Sequence, residues 1–273
     1  MAREKPVSST TVETLVPQWQ PVDNTSGALA YAAGKIASPK IEFRALRIDL
    51  VAPDLRIVVR DGAFGDDSTL STRVSSFVRD NGLLAGINAL PFRPVSGREG
   101  EVRTNIGIVV SEGKMLSPPH SGYASLVFYT DGSVSIVNQS EIRSVENIEN
   151  AVGGFHQVLK AGGLTGRVLN REDRHPRSAA GISSDGQYLY LLVIDGRRIG
   201  SIGCTEAETA LLLRALGSWD GINLDGGGSS SLALRYPDNK IRVVNTPIHG
   251  DIPGRERAVA GCLGVVLNPS TEK

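Results

Sequence analysis

From residue 41 onward the chain alternates short apolar runs with polar, glycine-marked breaks. Runs at 43–50, 55–59, 83–87, 106–110, 126–129 and 134–137 have strand length and are rich in large and β-branched residues, so they predict strands. Thr130-Asp131-Gly132-Ser133 separates the last two, and Ser184-Asp185-Gly186-Gln187 separates a run at 179–182 from one at 188–194. Both tetrads predict hairpins, because an Asp-Gly pair accepts the backbone of a tight turn. Two stretches only have helical spacing: 69 to about 80, ended by Asn81-Gly82, and 205 to about 215, ended by Gly217. Thr205 and Glu208 stand at capping-box distance. Strict βαβ alternation is missing, so the pattern predicts an α+β fold: a single domain with a large mixed, mostly antiparallel β-sheet and a few helices. Residues 1–25, polar and without period, predict a flexible arm, and 26–273 the folded body. The cluster Asn170-Arg171-Glu172-Asp173-Arg174 predicts a long surface loop.

At 273 residues the chain is long for one average domain, but β-rich single domains reach this size. Lys and Arg total 29 and Asp and Glu total 29, which leaves no long-range field to draw the protein to nucleic acid or to an anionic membrane. Any phosphate must therefore be held locally. No apolar run approaches the ~20 residues of a membrane span. Cys204 and Cys262 are too few for a disulfide framework and lack the spacing of a zinc site, so they predict two buried free thiols, with one disulfide as the alternative. The first residues, Met1-Ala2-Arg3-Glu4-Lys5-Pro6, have no apolar leader, which fits a cytoplasmic chain or one whose leader has been cut away.

The strongest chemical signal follows the second helix. Gly221-Ile222-Asn223-Leu224-Asp225-Gly226-Gly227-Gly228-Ser229-Ser230-Ser231 reads as a strand that ends in an acid, then three glycines, then hydroxyls. Such a loop can turn N–H groups toward an anion while aiming one carboxylate at the same place. A plain turn would not need three successive glycines, each of which costs backbone entropy. The loop lacks the Lys of a P-loop, and no Gly-x-Ser-x-Gly elbow surrounds Ser229, so a serine nucleophile is not expected. Arg174-His175-Pro176-Arg177-Ser178 precedes a strand and offers guanidinium forks for phosphate, although a solvated basic turn is the plainer reading. Val193-Ile194-Asp195-Gly196-Arg197 ends an apolar strand with an acid. Glu208 lies on the helix before the Asp225 strand, and Arg255-Glu256-Arg257 enters the last strand. Asn88 closes the run at 83–87. Each of these also has an ordinary structural reading: hairpin end, helix cap or solvent-facing charge.

Taken in order, these motifs resemble the phosphodiester glycosidase family. Asn223-Leu224-Asp225-Gly226-Gly227-Gly228-Ser229 is similar to the family's Asn-Leu-Asp-Gly-Gly-Gly-Ser, and Pro176-Arg177-Ser178 to its Pro-Arg-Thr. Asp195-Gly196-Arg197, Glu208 with Ala210, Gly153-Gly154 with Gly162, and Glu256-Arg257 resemble further family segments, so the likeness runs from about Gly82 to Val266. Asn88-Ala89-Leu90-Pro91-Phe92 departs from the family's Asn-Gly-Gly-Phe-Phe, which puts the sugar or aglycone in question.

The resemblance implies a hydrolase that breaks the anomeric C–O bond of a sugar 1-phosphodiester. Asp225, Glu208 and Glu256 are then the expected carboxylates, with Asp195 in reserve. Arg177, His175, Arg197 and Arg257 with Gly226, Gly227 and Gly228 are expected at the phosphate, and Asn88, Asn223 and Ser229 complete the substrate-binding set. A phosphate monoester leaves readily, so anion binding matters more than a strong general acid. On this reading Arg177→Ala lowers turnover by orders of magnitude while folding persists. The expected partner is a carbohydrate or sugar phosphate, no cofactor is required, and Ca²⁺ is the cation that carboxylates and carbonyls beside a glycine loop could hold. An extracytoplasmic or secreted location is implied as well. Two other classes stay open: a glycosidase of ordinary polysaccharide bonds, and a non-catalytic sugar- or phosphate-binding envelope module, for which 5% aromatic residues leave few stacking surfaces.

Overall fold

A computed structural model describes residues 17–60, 62–65, 67–169 and 171–268. The first part of the expected arm, residues 1–16, lies outside the described residues, as does Asn170. Gln20–Pro21 is already an edge strand, paired with Tyr31 and Ala30. The strand Leu29–Ile36 precedes the expected start at residue 41; its Ala- and Gly-rich sequence hides it, and Gly34 is needed because the Phe43 ring lies where a Cβ would go.

Four sheets make the body. The largest has eight strands in the order Gln20–Pro21, Leu29–Ile36, Ile41–Asp49, Tyr188–Ile194, Arg177–Ile182, Asp220–Asn223, His156–Lys160 and Gly163–Leu164. One five-stranded sheet is built on Ala124–Tyr129 and Ile148–Gly153, another on Ala85–Asn88 and Cys262–Leu267, and a three-stranded sheet on Val102–Asn105. Neighbouring named strands pair antiparallel throughout the described residues. The expected α+β class is thus what forms, with its strands shared among several sheets rather than one. Both expected hairpins are present, with Gly132 and Gly186 at positive φ.

Burial explains why Tyr188–Ile194 reads as a continuous apolar run instead of an alternating one. Leu189, Leu191 and Val193 enter the core between the large sheet and the five-stranded sheets, while Tyr190, Leu192 and Ile194 pack under helix α2, Glu206–Leu216. Each Leu fully buried in this way contributes about 1.5–3 kcal/mol. Helix α2 matches expectation: Thr205 and Glu208 form the reciprocal capping box, and Gly217 ends the helix at φ 116°.

Helix α1, Val74–Asp80, corrects the longer helix expected from residue 69. Ser68–Leu70 instead pairs with Val102–Asn105, as its hydroxyl-rich, β-branched sequence allows. The helix has no local side-chain cap; Glu99 accepts the Arg73 N–H at 2.7 Å and Glu256 accepts the Ser75 N–H at 3.2 Å. Of the run expected at 106–110 only the end is strand, within Val109–Ser111; Gly107, at φ 116°, turns the chain between it and the preceding strand Val102–Asn105. No helix of the described residues is long and apolar enough to cross a membrane.

Candidate active site

One end of the eight-stranded sheet gathers the motifs. Asn223 pairs with Ala179 and His156, and Arg177 pairs with Ile194, so the ends that carry Asp225, His175, Asp195 and His156 lie side by side. Pro176 is where they meet. Gly227 donates its N–H to the Pro176 carbonyl at 2.8 Å, and a Cβ on Gly226 would lie 2.8 Å from that same oxygen. From the other side, a Cβ on Gly196 would lie 2.7 Å from the Pro176 nitrogen. At Gly226 and Gly196 glycine is required because backbones touch there, and Gly227 stands at φ 61°, which favours glycine.

The glycine loop, expected from sequence to turn N–H groups toward an anion, uses several of them within the protein. Besides the Gly227 donation inward, Ser229 and Ser230 donate their N–H groups to the carbonyls of Gly226 and Gly227 in a short 3₁₀ turn. Its glycines instead admit two guanidinium groups: a Cβ on Gly227 would be 3.3 Å from Arg197 Nη2, and one on Gly228 would collide with Arg257. The loop is a seat for arginines, which then present the positive charge.

Asp225 is partly exposed at this mouth. Burial raises its carboxyl from 3.8 to about 6, against the opposing effects of a Ser229 hydrogen bond and the Arg257 charge. Arg257 Nη1 donates to Ser229 Oγ at 3.1 Å and its Nε donates to His249 Nδ1 at 3.1 Å. Asp225, Ser229, Arg257 and His249 therefore form one connected chain. Arg197, exposed and at φ 57°, closes the other flank, with Nη2 3.5 Å from His175 Nδ1. Both histidines are held below their ordinary pKa by burial and then by neighbouring arginines, so they stay neutral near pH 7.

Several expected site residues are consumed by the scaffold. Glu208, expected among the catalytic carboxylates, is buried, accepts the Thr205 N–H at 2.9 Å and pairs with Arg174. Glu256, also expected there, turns to Ser75 on α1, while its neighbour Arg257 faces the glycine loop. Burial raises its carboxyl, and the two bonds from Ser75 oppose that. Asn88 is fully buried and holds the loop from beneath, donating to the Asp225 carbonyl at 2.6 Å and accepting from Ser178 Oγ at 2.7 Å and the Ser231 N–H at 3.1 Å. Asp195 accepts from the Thr246 N–H, Asn245 and Arg198, which ties the Asp-Gly-Arg turn to the segment before His249.

Arg177 also differs from expectation. Its backbone borders Gly226, but its guanidinium donates to the carbonyls of Cys204 and Asp173, both at 3.0 Å, and lies 3.7 Å from Glu206. The cation beside Asp225 is Arg257. Asn223 is buried under the same end of the sheet.

Sequence reading missed His249, whose only signal is a lone imidazole in the Pro- and Gly-rich stretch before Glu256-Arg257. It also missed a cluster of rings formed by His120, Tyr123, Phe155 and His156, which are scattered in sequence. Cys204 and Cys262 are buried free thiols, the latter pushed up to about 12 by burial. Among the described residues no three His, Cys, Asp or Glu side chains gather to hold a metal. The Arg257 guanidinium beside Asp225 makes this a setting that suits an anionic ligand.

Fold and site together define an α+β protein whose sheet end presents an acid and two arginines around a glycine turn. The chain belongs to the phosphodiester glycosidase family, whose profile matches residues 81–266 and so includes the whole of this mouth. A prophage-derived uncharacterized protein of Bacillus subtilis, YomE, is 27% identical over 180 residues, 61% of this chain; the chain spans 27% of that relative's length. Among solved structures, the catalytic domain of zebrafish N-acetylglucosamine-1-phosphodiester alpha-N-acetylglucosaminidase, auto-inhibited by its pro-peptide, aligns with a TM-score of 0.67 at 19% identity, over 93% of this chain and 89% of that one. A hypothetical protein from Synechocystis gives a TM-score of 0.67 at 15% identity, covering 93% of this chain and 64% of that chain. A putative exported protein of Burkholderia pseudomallei gives 0.58 at 16%, covering 83% and 74%.

Proposed function

We propose that the protein hydrolyses the anomeric C–O bond of a sugar 1-phosphodiester. The observation that supports this reading is the connected group Asp225, Ser229 and Arg257, flanked across the glycine loop by Arg197. The arginines hold the phosphodiester and the charge it gains on leaving. Asp225, ionised at neutral pH with a pKa near 6, is matched to accept a proton from water as that water attacks the anomeric carbon. In this step the water oxygen bonds to carbon, the carbon–oxygen bond to phosphate breaks with its electron pair on phosphate, and the water proton passes to Asp225. A departing phosphate monoester needs little protonation, which accommodates a mouth furnished with guanidinium groups instead of a second acid.

Two guanidinium groups at the mouth favour a phosphodiester over a neutral glycoside. The zebrafish neighbour acts, by its name, on a sugar 1-phosphodiester, and the Burkholderia neighbour is a putative exported protein; an extracytoplasmic site of action belongs to the same reading. A rate comparison tests it. Wild-type protein should hydrolyse a sugar 1-phosphodiester in clear preference to the p-nitrophenyl glycoside of the same sugar, and Arg257→Met should lose roughly 100-fold or more in kcat/KM on the phosphodiester. Equal rates on both substrates, or an Arg257→Met variant as active as wild type, would remove the phosphate from the mechanism.

A further inference from the structure

The ring cluster lies beside the mouth and has no part in the chemistry above. Tyr123 meets Phe155 edge-on, with centroids 5.3 Å apart and planes at 75°, and His120 lies 4.4 Å from Tyr123. Phe155 donates its N–H to the Asn223 carbonyl at 2.8 Å, two residues before Asp225. Tyr123 and Phe155 are both partly exposed, so the cluster is a platform open to solvent on one side.

Next to it lies a set of buried polar atoms that the protein leaves unused. Asn223 Oδ1, His156 Nδ1 and Glu206 Oε2 have no hydrogen-bond partner among the described residues. Asn223 and His156 are direct neighbours in register, so their side chains leave the sheet on one face. Glu206 enters over that face from the first turn of α2, and its charge acts on His156 and on His175. Leaving three such groups unpaired in a native interior is costly unless a ligand answers them. Arg171 reaches over the group to Glu206 Oε1 at 3.1 Å, its own side chain 48% exposed and that of Glu206 buried.

We infer that Tyr123 and Phe155, with Glu206, His156 and Asn223 beside them, form a subsite for a neutral pyranose ring. The ring's apolar face stacks on the aromatic platform, and its hydroxyls donate to the two orphaned oxygens. The Glu206 carboxylate disfavours an anionic sugar. This inference rests on the hydrolytic reading for the ring's placement next to Asp225, but binding can be measured apart from turnover.

The test uses Tyr123→Leu and Glu206→Gln in the full chain, with melting recorded to confirm folding. Methyl glucoside, N-acetylglucosamine and glucuronate are titrated by calorimetry, and a sugar 1-phosphodiester is used for kinetics. Expected are binding of at least one neutral sugar in preference to glucuronate, weakened about tenfold in either variant, and a KM raised by a similar factor with kcat nearly unchanged. Phosphodiester turnover with unaltered KM and sugar binding in both folded variants would overturn the subsite and leave the hydrolytic reading intact. Neutral-sugar binding that depends on Tyr123, in a protein that turns over no phosphodiester, would keep the subsite and end the hydrolytic reading. No sugar binding to wild type, or stronger binding of glucuronate, would overturn the subsite as stated.

Discussion

Replacing Asp225 by Asn should make the protein more stable in alkaline buffer while abolishing its activity. The carboxyl rises from 3.8 to about 6 on folding because burial outweighs Ser229 and Arg257. A raised carboxyl means the folded state holds the proton more tightly than the unfolded one. That contribution is fully present below pH 3.8 and is lost as pH rises through 6. Above pH 7, keeping Asp225 ionised therefore costs roughly 3 kcal/mol, the equivalent of the rise at about 1.4 kcal/mol for each pH unit. Asn copies the neutral acid and avoids that cost, although Arg257 then loses its charged partner. A net gain of about 1–3 kcal/mol at pH 8 is expected, which is roughly 2–10 °C in Tm for a domain of this size. Calorimetric melting of wild type and Asp225→Asn from pH 4 to pH 8 measures it. The gap should open with rising pH and nearly close at pH 4. A variant less stable than wild type at pH 8, or a gap independent of pH, would refute the burial argument.

The scaffold residues give predictions of another kind. Gly228→Ala places a methyl group against the Arg257 guanidinium and should cost about 1–3 kcal/mol in stability and at least about tenfold in kcat/KM, read by denaturant titration and steady-state kinetics. Normal kinetics in that variant would show that Arg257 need not be seated there. Asn88→Ala removes three hydrogen bonds beneath the loop and should destabilise by roughly 3 kcal/mol or more; a loss below about 1 kcal/mol would mean that the Asp225 carbonyl and Ser178 find other partners.

Sequence was informative where local chemistry decides the outcome. The capping box at Thr205 and Glu208, the Asp131-Gly132 and Asp185-Gly186 hairpins and the run at 188–194 all form as their residue types dictate. It was less informative where a long-range contact competes. The stretch from residue 69 has helical spacing, yet Val102–Asn105 captures its first residues as a strand and acids from Glu99 and Glu256 fix the helix start. The same divide runs through the site. A glycine triplet after an acid is visible along the chain, but which carboxylate faces it is not: Glu208 caps its own helix, and Glu256 turns to Ser75 while Arg257 turns to the loop. His249 and the Tyr123 and Phe155 platform come together only through folding, and no spacing rule announces them.

The central claim is that water attacks the sugar carbon and the phosphate leaves intact. Hydrolysis of a sugar 1-phosphodiester in ¹⁸O-enriched water, followed by mass spectrometry of both products, tests it most directly. The expected result is label in the released sugar and none in the phosphate monoester. Label in the phosphate would mean that phosphorus, not the anomeric carbon, is the centre attacked at Asp225.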